Sequence, residues 1–301
     1  MVVIPKPGKP CYNVPKAYRP IQLLECLGKL VEKIIAKRIT FECGKHDILP
    51  PEQFGGRSNA SHIDAGMTLV HDIKHTKKQG LVTSVLAIDI KGFFDNINHC
   101  WLVRVMWESG FAPPIIKWVA SFLSDRQAAI KVDNHLGPMT PIQIGIPQGS
   151  PVSPCLSVIY SSDVIREIQD DPTLTTPANI PLLPLSYVDD FALLAISDSL
   201  TDNVQTLTEG LDCTLSILKR VGMLIDPDKL DLIHFNGKKK DALPSIPYTI
   251  DSKPGSIQPK KVMRWLGIFF NGHLSFREHV KIMCNCACSI INGFRCLSNT
   301  V

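Results

Sequence analysis

Apolar residues recur along this 301-residue chain with two periods, and the changes of period mark its elements. Between Leu23 and Ile39 they fall at Leu23, Leu27, Leu30, Val31, Ile34 and Ile35, the spacing of one helical face. A second helix is expected from about Ile63 to Lys77, with Gly80 ending it. Val82 to Ile90 is a β-branched run and predicts a buried strand. Helices are expected near 99–109 and 113–124, the second opened by Pro113-Pro114. Two short strands, near 126–133 and 139–144, lead into the stretch Gly145 to Pro151, and a helix runs from about Pro154 to Gln169. A Pro-rich linker over 172–184 gives way to two apolar arms, Leu182–Tyr187 and Phe191–Ile196, separated by acidic residues. That layout predicts a hairpin with its tip near Val188-Asp189. A helix over 201–221 stops at Gly222, strands follow near 223–226, 230–235, 246–251 and 262–270, and Ser275–Ser298 reads as helical. Residues 5–20 and 50–60, rich in Pro or Gly, read as loops.

The order of strands and helices suggests an α+β domain with an antiparallel sheet backed by helices. With 45% hydrophobic and 20% charged residues the composition is that of an ordinary globular chain. The net charge of +4 does not identify a partner, but basic residues cluster at Lys6–Lys9, Lys238–Lys240 and Lys260-Lys261-Arg264. Such stripes suit a phosphate backbone; the Lys238–Lys240 run reads equally as a solvated loop. No apolar stretch approaches a membrane span, so no membrane partner is expected. The N-terminus lacks a secretory layout, and the ten cysteines read as reduced thiols. Nucleus or cytoplasm is the expected compartment, with the mitochondrion as the alternative for an intron-derived relative. His279, Cys284, Cys286, Cys288 and Cys296 fit no common zinc spacing.

Three carboxylates carry the candidate chemistry. Asp89 ends the buried strand, and Asp189-Asp190 sits at the tip of the apolar hairpin. A lone Asp pair in a hairpin is ordinary turn chemistry. Arms as apolar as Leu182–Tyr187 and Phe191–Leu194 are not needed by an exposed turn, and ionised carboxylates beside a β-core are costly unless paired or bound to metal. Carboxylates at strand ends suit a hard divalent cation.

At these residues the chain resembles the reverse-transcriptase domain of non-long-terminal-repeat (LINE-like) retrotransposons. Pro5 to Lys9, Tyr18 to Leu24 and Gly28 to Lys33 match the first fingers motif, and Gln53 to Ser58 the second. Asp89 to Asn96, Gly145 to Pro154 and Tyr187 to Asp190 are similar to motifs A, B and C. Gly222 to Phe235 resembles motif D, and Arg264 to Gly267 with Leu274 to Phe276 and His279 resembles motif E and the start of a thumb. Each motif alone is weak; the series in the family's order is specific.

The resemblance implies fingers over 1–80, a palm over 81–270 with an interleaved fingers segment and a primer-grip hairpin, and the start of a thumb over 271–301. It implies an RNA-directed DNA polymerase that uses two Mg²⁺ ions, or Mn²⁺ in their place, with dNTPs, an RNA template and a DNA primer. Asp89, Asp189, Asp190 and the Ile90 carbonyl would hold the metals. Arg19 with Lys6 or Lys9 would contact the triphosphate, and Phe94 would exclude a ribose 2′-hydroxyl, with one of Phe93 and Phe94 pointing into the core. Gln148 and Gly149 would lie beneath the nascent base pair. Lys229 would be the general acid, its competing reading being a solvated turn lysine. Trp265-Leu266-Gly267 would grip the primer. Val188 and Val152 depart mildly from the family pattern, at positions where Ala and Leu are usual. The chain is expected to be a fragment of a longer element or a degraded copy. The alternatives are a catalytically inactive relic or domesticated nucleic-acid-binding module, and an intron-encoded reverse transcriptase with maturase function. No protein partner is inferable.

Overall fold

The computed structural model describes residues 1–57, 59–132, 135–236, 243–250 and 252–298; Lys238–Lys240 and the Cys296 side chain fall outside what it describes. Strands β1 (Val2–Pro5) and β2 (Tyr18–Ile21) precede helices α1 (Cys26–Lys45) and α2 (His62–Lys78). Then come β3 (Val82–Lys91), the single turn α3 (Phe93–Asn96), α4 (His99–Glu108) and α5 (Pro113–Leu123). Four two-residue strands follow: β4 (Gln127–Ala128), β5 (Lys131–Val132), β6 (His135–Leu136) and β7 (Thr140–Pro141). The second half holds α6 (Ser153–Gln169), β8 (Leu183–Tyr187), β9 (Asp190–Ser197), α7 (Leu200–Arg220), β10 (Leu224–Ile225) and β11 (Asp231–Phe235). It closes with two hairpins, β12 (Ile246–Ile250) with β13 (Lys253–Ile257) and β14 (Val262–Trp265) with β15 (Ile268–Asn271), and with α8 (Arg277–Ser298).

The main sheet is antiparallel. β3 is its centre, paired with β9 on one side and with β10 and β11 on the other, and β8 lies outside β9. Side chains alternate between its faces. Leu86, Ile88 and Ile90 of β3, with Phe191, Leu193 and Ala195 of β9, enter a core formed with α1 and α4 to α7. Val85 and Ala87, with Ala192, Leu194 and Ile196, enter a second core formed with α2 and the β14–β15 hairpin. Burial on both faces is why these strands read as continuous apolar runs rather than alternating ones. The expected antiparallel sheet backed by helices is the one observed.

Three readings need correction. Residues 5–20 are not all loop: β1 and β2 form an antiparallel pair in which Pro20 lies opposite Val3 and Arg19 opposite Ile4. Prolines at both ends of a long connection hide this edge ladder from a period-two reading. Leu23, before α1, and the α1 positions Leu27, Leu30, Val31 and Ile34 are exposed, and the buried side of the helix is Glu32, Ala36, Ile39 and Cys43. The small side chains of Ala36 and Cys43 admit close approach, and Glu32 is drawn inward by a hydrogen bond from the Ser150 hydroxyl. Residues 253–257, assigned no element from sequence, form β13 paired with β12, and the single strand expected over 262–270 is the β14–β15 hairpin.

A buried polar knot crosses the sheet. His234 of β11 lies opposite Ser84 of β3, and its Nδ1 is 2.7 Å from Ser84 Oγ while Nε2 is 2.9 Å from Pro244 O. A carbonyl only accepts, so Nε2 carries the proton and Nδ1 accepts from Ser84. Asn203 of α7 donates to Ser84 Oγ at 3.2 Å and to Val82 O at 3.0 Å. Burial lowers the His234 pKa below 6.5. The unfolded chain therefore takes a proton at a pH where the folded one does not, and stability falls as pH drops below 6.5. The expected result is a melting temperature that falls from about pH 7.5 to about pH 5.5, and falls less steeply in His234→Gln; equal slopes in the two proteins refute this assignment.

Candidate active site

The β3–β9 register sets the candidate centre. Its last pair puts Asp89 directly opposite Asp190. Asp189 sits on the two-residue turn between β8 and β9, which the pair Tyr187 and Asp190 closes. Like charges opposite one another in a sheet repel. Burial, followed by the charges of Asp189 and Asp89, pushes the Asp190 carboxyl up to about 6 in spite of Lys229 and Arg264. Asp189 is raised as well, through burial and Asp89.

The turn itself is strained. Val188 has φ +63°, a left-handed conformation that β-branched residues avoid. The segment behind the turn holds it there. Gln53 is fully buried, Phe54 N donates to Ser186 O at 2.9 Å, and Ser186 N donates to Glu52 O at 3.0 Å. Gly55 sits directly under the tip, where a Cβ would stand 2.7 Å from both Val188 Cγ2 and Val188 N.

Cations surround the carboxylates. Lys229, at the end of the turn Pro227–Lys229, donates Nζ to Asp89 Oδ1 at 2.7 Å and lies 3.9 Å from Asp226 Oδ2. The β1–β2 hairpin brings Arg19 close enough to act on Asp189. It also brings in Lys6, whose pKa burial and the neighbouring Arg19, Lys9 and Lys229 all lower. Lys6 Nζ donates to Lys16 O at 3.1 Å. Lys9 is exposed on the loop beyond Lys6.

Two walls flank this centre. One bounds a cleft of about 530 Å³ lined by Asp89, Asp190, Lys229, Lys260, Arg264 and the Trp265–Gly267 turn. Leu266 and Gly267 both have positive φ, 50° and 79°, as a type I′ hairpin turn requires. Trp265 is also core, 3% exposed, and its Nε1 is buried with no partner. The other wall is the Gly145–Ser150 loop. Phe93 is buried and Phe94 half-buried, their rings edge to face at 5.9 Å. Phe94 lines a hollow with Pro147, Gln148, Gly149 and Ser150, so the aromatic pair does divide between core and site. Gln148 Nε2 donates to Asp95 Oδ1 at 3.2 Å. Gly149 has φ +111°, and a Cβ there would come within 2.9 Å of Gln22 O. Ile90 is buried next to Asp89 and pairs with Ile225.

All the sequence-chosen residues thus converge on one region, with Lys9 at its margin. Asp95, Gln22 and Arg126 join them without having been singled out. Gln22 lay inside a quoted motif but carried no role, and Arg126 belongs to none, so only folding reveals them.

The donor chemistry fits a hard divalent cation: three carboxylates gather at paired strand ends, and their charge is only partly balanced. Among the described residues, no three His, Cys, Asp or Glu side chains are yet arranged around one point, and Asp89 is engaged by Lys229. At the C-terminal end Cys284, Cys286 and Cys288 are exposed on α8, and His279 Nδ1 accepts from Phe269 N at 3.3 Å. No helix among the described residues is long and apolar enough to cross a membrane.

Comparison with known proteins identifies the family and the fold. Residues 4–270 match the family model described as reverse transcriptase (RNA-dependent DNA polymerase). The chain is 28% identical over 281 residues to a Drosophila melanogaster protein named "Probable RNA-directed DNA polymerase from transposon BS". It is 26% identical over 280 residues to the RNA-directed DNA polymerase from mobile element jockey of Drosophila funebris. Each match covers 93% of this chain but only 30% and 29% of the relative, so the chain spans about three-tenths of the curated relatives' length. Among solved structures, an apo telomerase from Candida tropicalis truncated from its C-terminal domain aligns with a TM-score of 0.53 at 16% identity. That alignment covers 82% of this chain and 44% of the other, and shows a shared fold.

Gly55→Ala is expected to lower stability by about 1–3 kcal/mol through overpacking. Adding Val188→Ala does not rescue it, because the Val188 backbone nitrogen stands as close as the side chain. Thermal melts of the two variants check this; full recovery in the double variant would show that only the side chain was in the way.

Proposed function

The chain belongs to the reverse transcriptase family, and from that premise we propose that it forms the polymerising centre of an RNA-directed DNA polymerase acting on dNTPs, an RNA template and a DNA primer. The observation that carries this reading is Asp89 facing Asp190 across β3 and β9, with Asp189 held beside them on a strained turn. Such a charge cluster is stable only with cations between its members.

Asp89, Asp189 and Asp190 would hold Mg²⁺ or Mn²⁺, with the Ile90 carbonyl as a further oxygen. When bound, the ions supply charge to activate a 3′-hydroxyl and to stabilise the departing pyrophosphate. The protein's own groups do the rest. Lys6 and Arg19 stand on the same side as the acidic turn and can bind a triphosphate, Arg19 in bidentate fashion. Lys229 balances Asp89 in the ligand-free protein, and a role as proton donor to pyrophosphate requires its ammonium to leave Asp89 Oδ1. Phe94, half-exposed beside Gln148 and Gly149, would limit bulk at the sugar of a nucleotide resting on that loop. Gly149 lets a base pair approach the backbone. The Trp265–Gly267 turn would steady the primer end in the cleft it shares with Asp89 and Asp190.

Primer extension on an RNA template with Mg²⁺ and dNTPs tests the reading. The wild-type chain is expected to extend the primer, and Asp189→Asn to lower the rate by about three orders of magnitude or more while duplex binding persists. Duplex binding with no extension by the wild type at any metal concentration would instead favour a nucleic-acid-binding module. Phe94→Ala is expected to reduce the preference for dNTP over rNTP by about ten- to a hundred-fold; unchanged sugar selectivity would confine Phe94 to packing.

A further inference from the structure

Two charged residues without an assigned role, half-buried Arg126 and buried Glu32, hold the Gly145–Ser150 loop at two points. Arg126, just beyond α5, donates Nη1 to Gly145 O at 3.0 Å and Nη2 to Gln22 Oε1 at 2.6 Å. The backbone N–H of Gln22 in turn donates to Gln148 O at 2.8 Å. Gln22 O is also the atom that a Cβ on Gly149 would strike. Gly145 O takes a second hydrogen bond, 2.7 Å from His99 Nε2. At the end of the loop, Glu32 of α1 is 4% exposed and accepts the Ser150 hydroxyl, and its charge also acts on Arg126. Ser150 Oγ also accepts from Val152 N at 3.2 Å.

The start of the loop has other ties: Gly145 N to Ile97 O and Ile146 N to Phe94 O, both at 2.8 Å. Farther along, the Gln148 backbone reaches outside the loop through Gln22, and Ser150 reaches outside through Glu32. Burying a guanidinium is costly unless its donors are used. Here one rigid fork uses two arms on two separate pieces of chain, a geometry that lysine cannot copy.

We propose that Arg126 is a positioning residue for nucleotide insertion: through Gln22 and Gly145 it fixes the height of the Gln148-Gly149 turn beneath the incoming base pair, with the Glu32–Ser150 hydrogen bond as a second anchor at the end of the loop. The inference rests on the polymerase reading above for its functional half. Its structural half stands on the hydrogen bonds alone. A loop set at the wrong height receives the nucleotide poorly but leaves the carboxylates untouched on β3 and β9. Arg126 therefore acts on nucleotide binding more than on the chemical step.

The test compares Arg126→Lys, Gln22→Ala and the double variant by hydrogen–deuterium exchange and by single-nucleotide primer extension. Arg126→Lys is expected to speed exchange over residues 145–150 while leaving that of β3 and β9 unchanged. It should raise the KM for dNTP about ten-fold, the size of one lost charge-assisted hydrogen bond, with kcat within about three-fold and primer–template affinity unchanged. Gln22→Ala, the milder change, should give part of this effect, and the double variant should be no worse than Arg126→Lys. Unchanged loop exchange in Arg126→Lys overturns the proposal. So does exchange that rises uniformly over the whole chain, or a fall in kcat with no rise in KM. If the wild type extends no primer, the polymerase reading and the functional half fail together, and the exchange data still decide whether Arg126 holds the loop.

Discussion

The pairing of β3 with β9 is the constraint on which the rest depends, because its register alone puts Asp89 opposite Asp190. Both strands are apolar on both faces, so a one-residue slip would exchange one buried face for another. Hydrophobic burial alone therefore specifies this register weakly. The Ser84–His234–Asn203 knot adds polar constraints to burial, tying β3 to β11 and to α7, the helix that begins directly after β9. Ser84 must face His234 of β11 and receive Asn203 of α7, and a slip would leave several buried polar groups without partners. The knot lies at the opposite end of β3 from Asp89. A group far from the chemistry thus helps to hold the strand that carries Asp89.

Electrostatics then work against the register. The carboxylates are brought together before anything neutralises them fully, and the raised Asp190 pKa records that cost. Lys229 answers part of it from the turn after β10, and the β1–β2 hairpin brings Arg19 and Lys6 from the other end of the chain. The left-handed Val188 adds backbone strain to the same few residues. Gly55 and the Phe54–Ser186 ladder behind the turn keep it from relaxing. Such concentrations of strain and charge persist only where the surrounding structure over-determines them.

Much of this was legible in the sequence because it is local. Helices α2, α4, α5, α6 and α7 announced themselves by period and end signals, and the β8–β9 hairpin by apolar arms around Asp189-Asp190. The acidic centre followed from chemistry that only a few residue types can perform. What failed was long-range. Periodicity gave α1 an apolar face but not its neighbour, and the face that packs carries Glu32, Ala36, Ile39 and Cys43 instead. The β1–β2 pair was invisible because prolines interrupt it and a long connection separates its strands. Arg126 and Gln22 meet 104 positions apart; no local pattern marks Arg126, and the motif around Gln22 gives that residue no role.

The site thus combines two kinds of support. The carboxylates stand on a sheet whose strands are locked by burial and by a polar knot, so their mutual positions are fixed by main-chain pairing. The loop that faces them has no strand pairing; it is held by backbone hydrogen bonds with Gln22, Phe94 and Ile97 and by the side chains of Arg126, Glu32, His99 and Asp95. In the proposed reaction this division has a physical basis. Metal-binding oxygens must keep one geometry for every nucleotide, whereas the surface beneath a base pair meets four different pairs. A loop held by a few directional bonds can be stiff in height and still tolerate variation in what rests on it. An apolar bracket of equal strength would fix no height at all, because dispersion contacts are not directional. That is a physical reason for buried charge to be retained here, where an aliphatic core would be simpler to build.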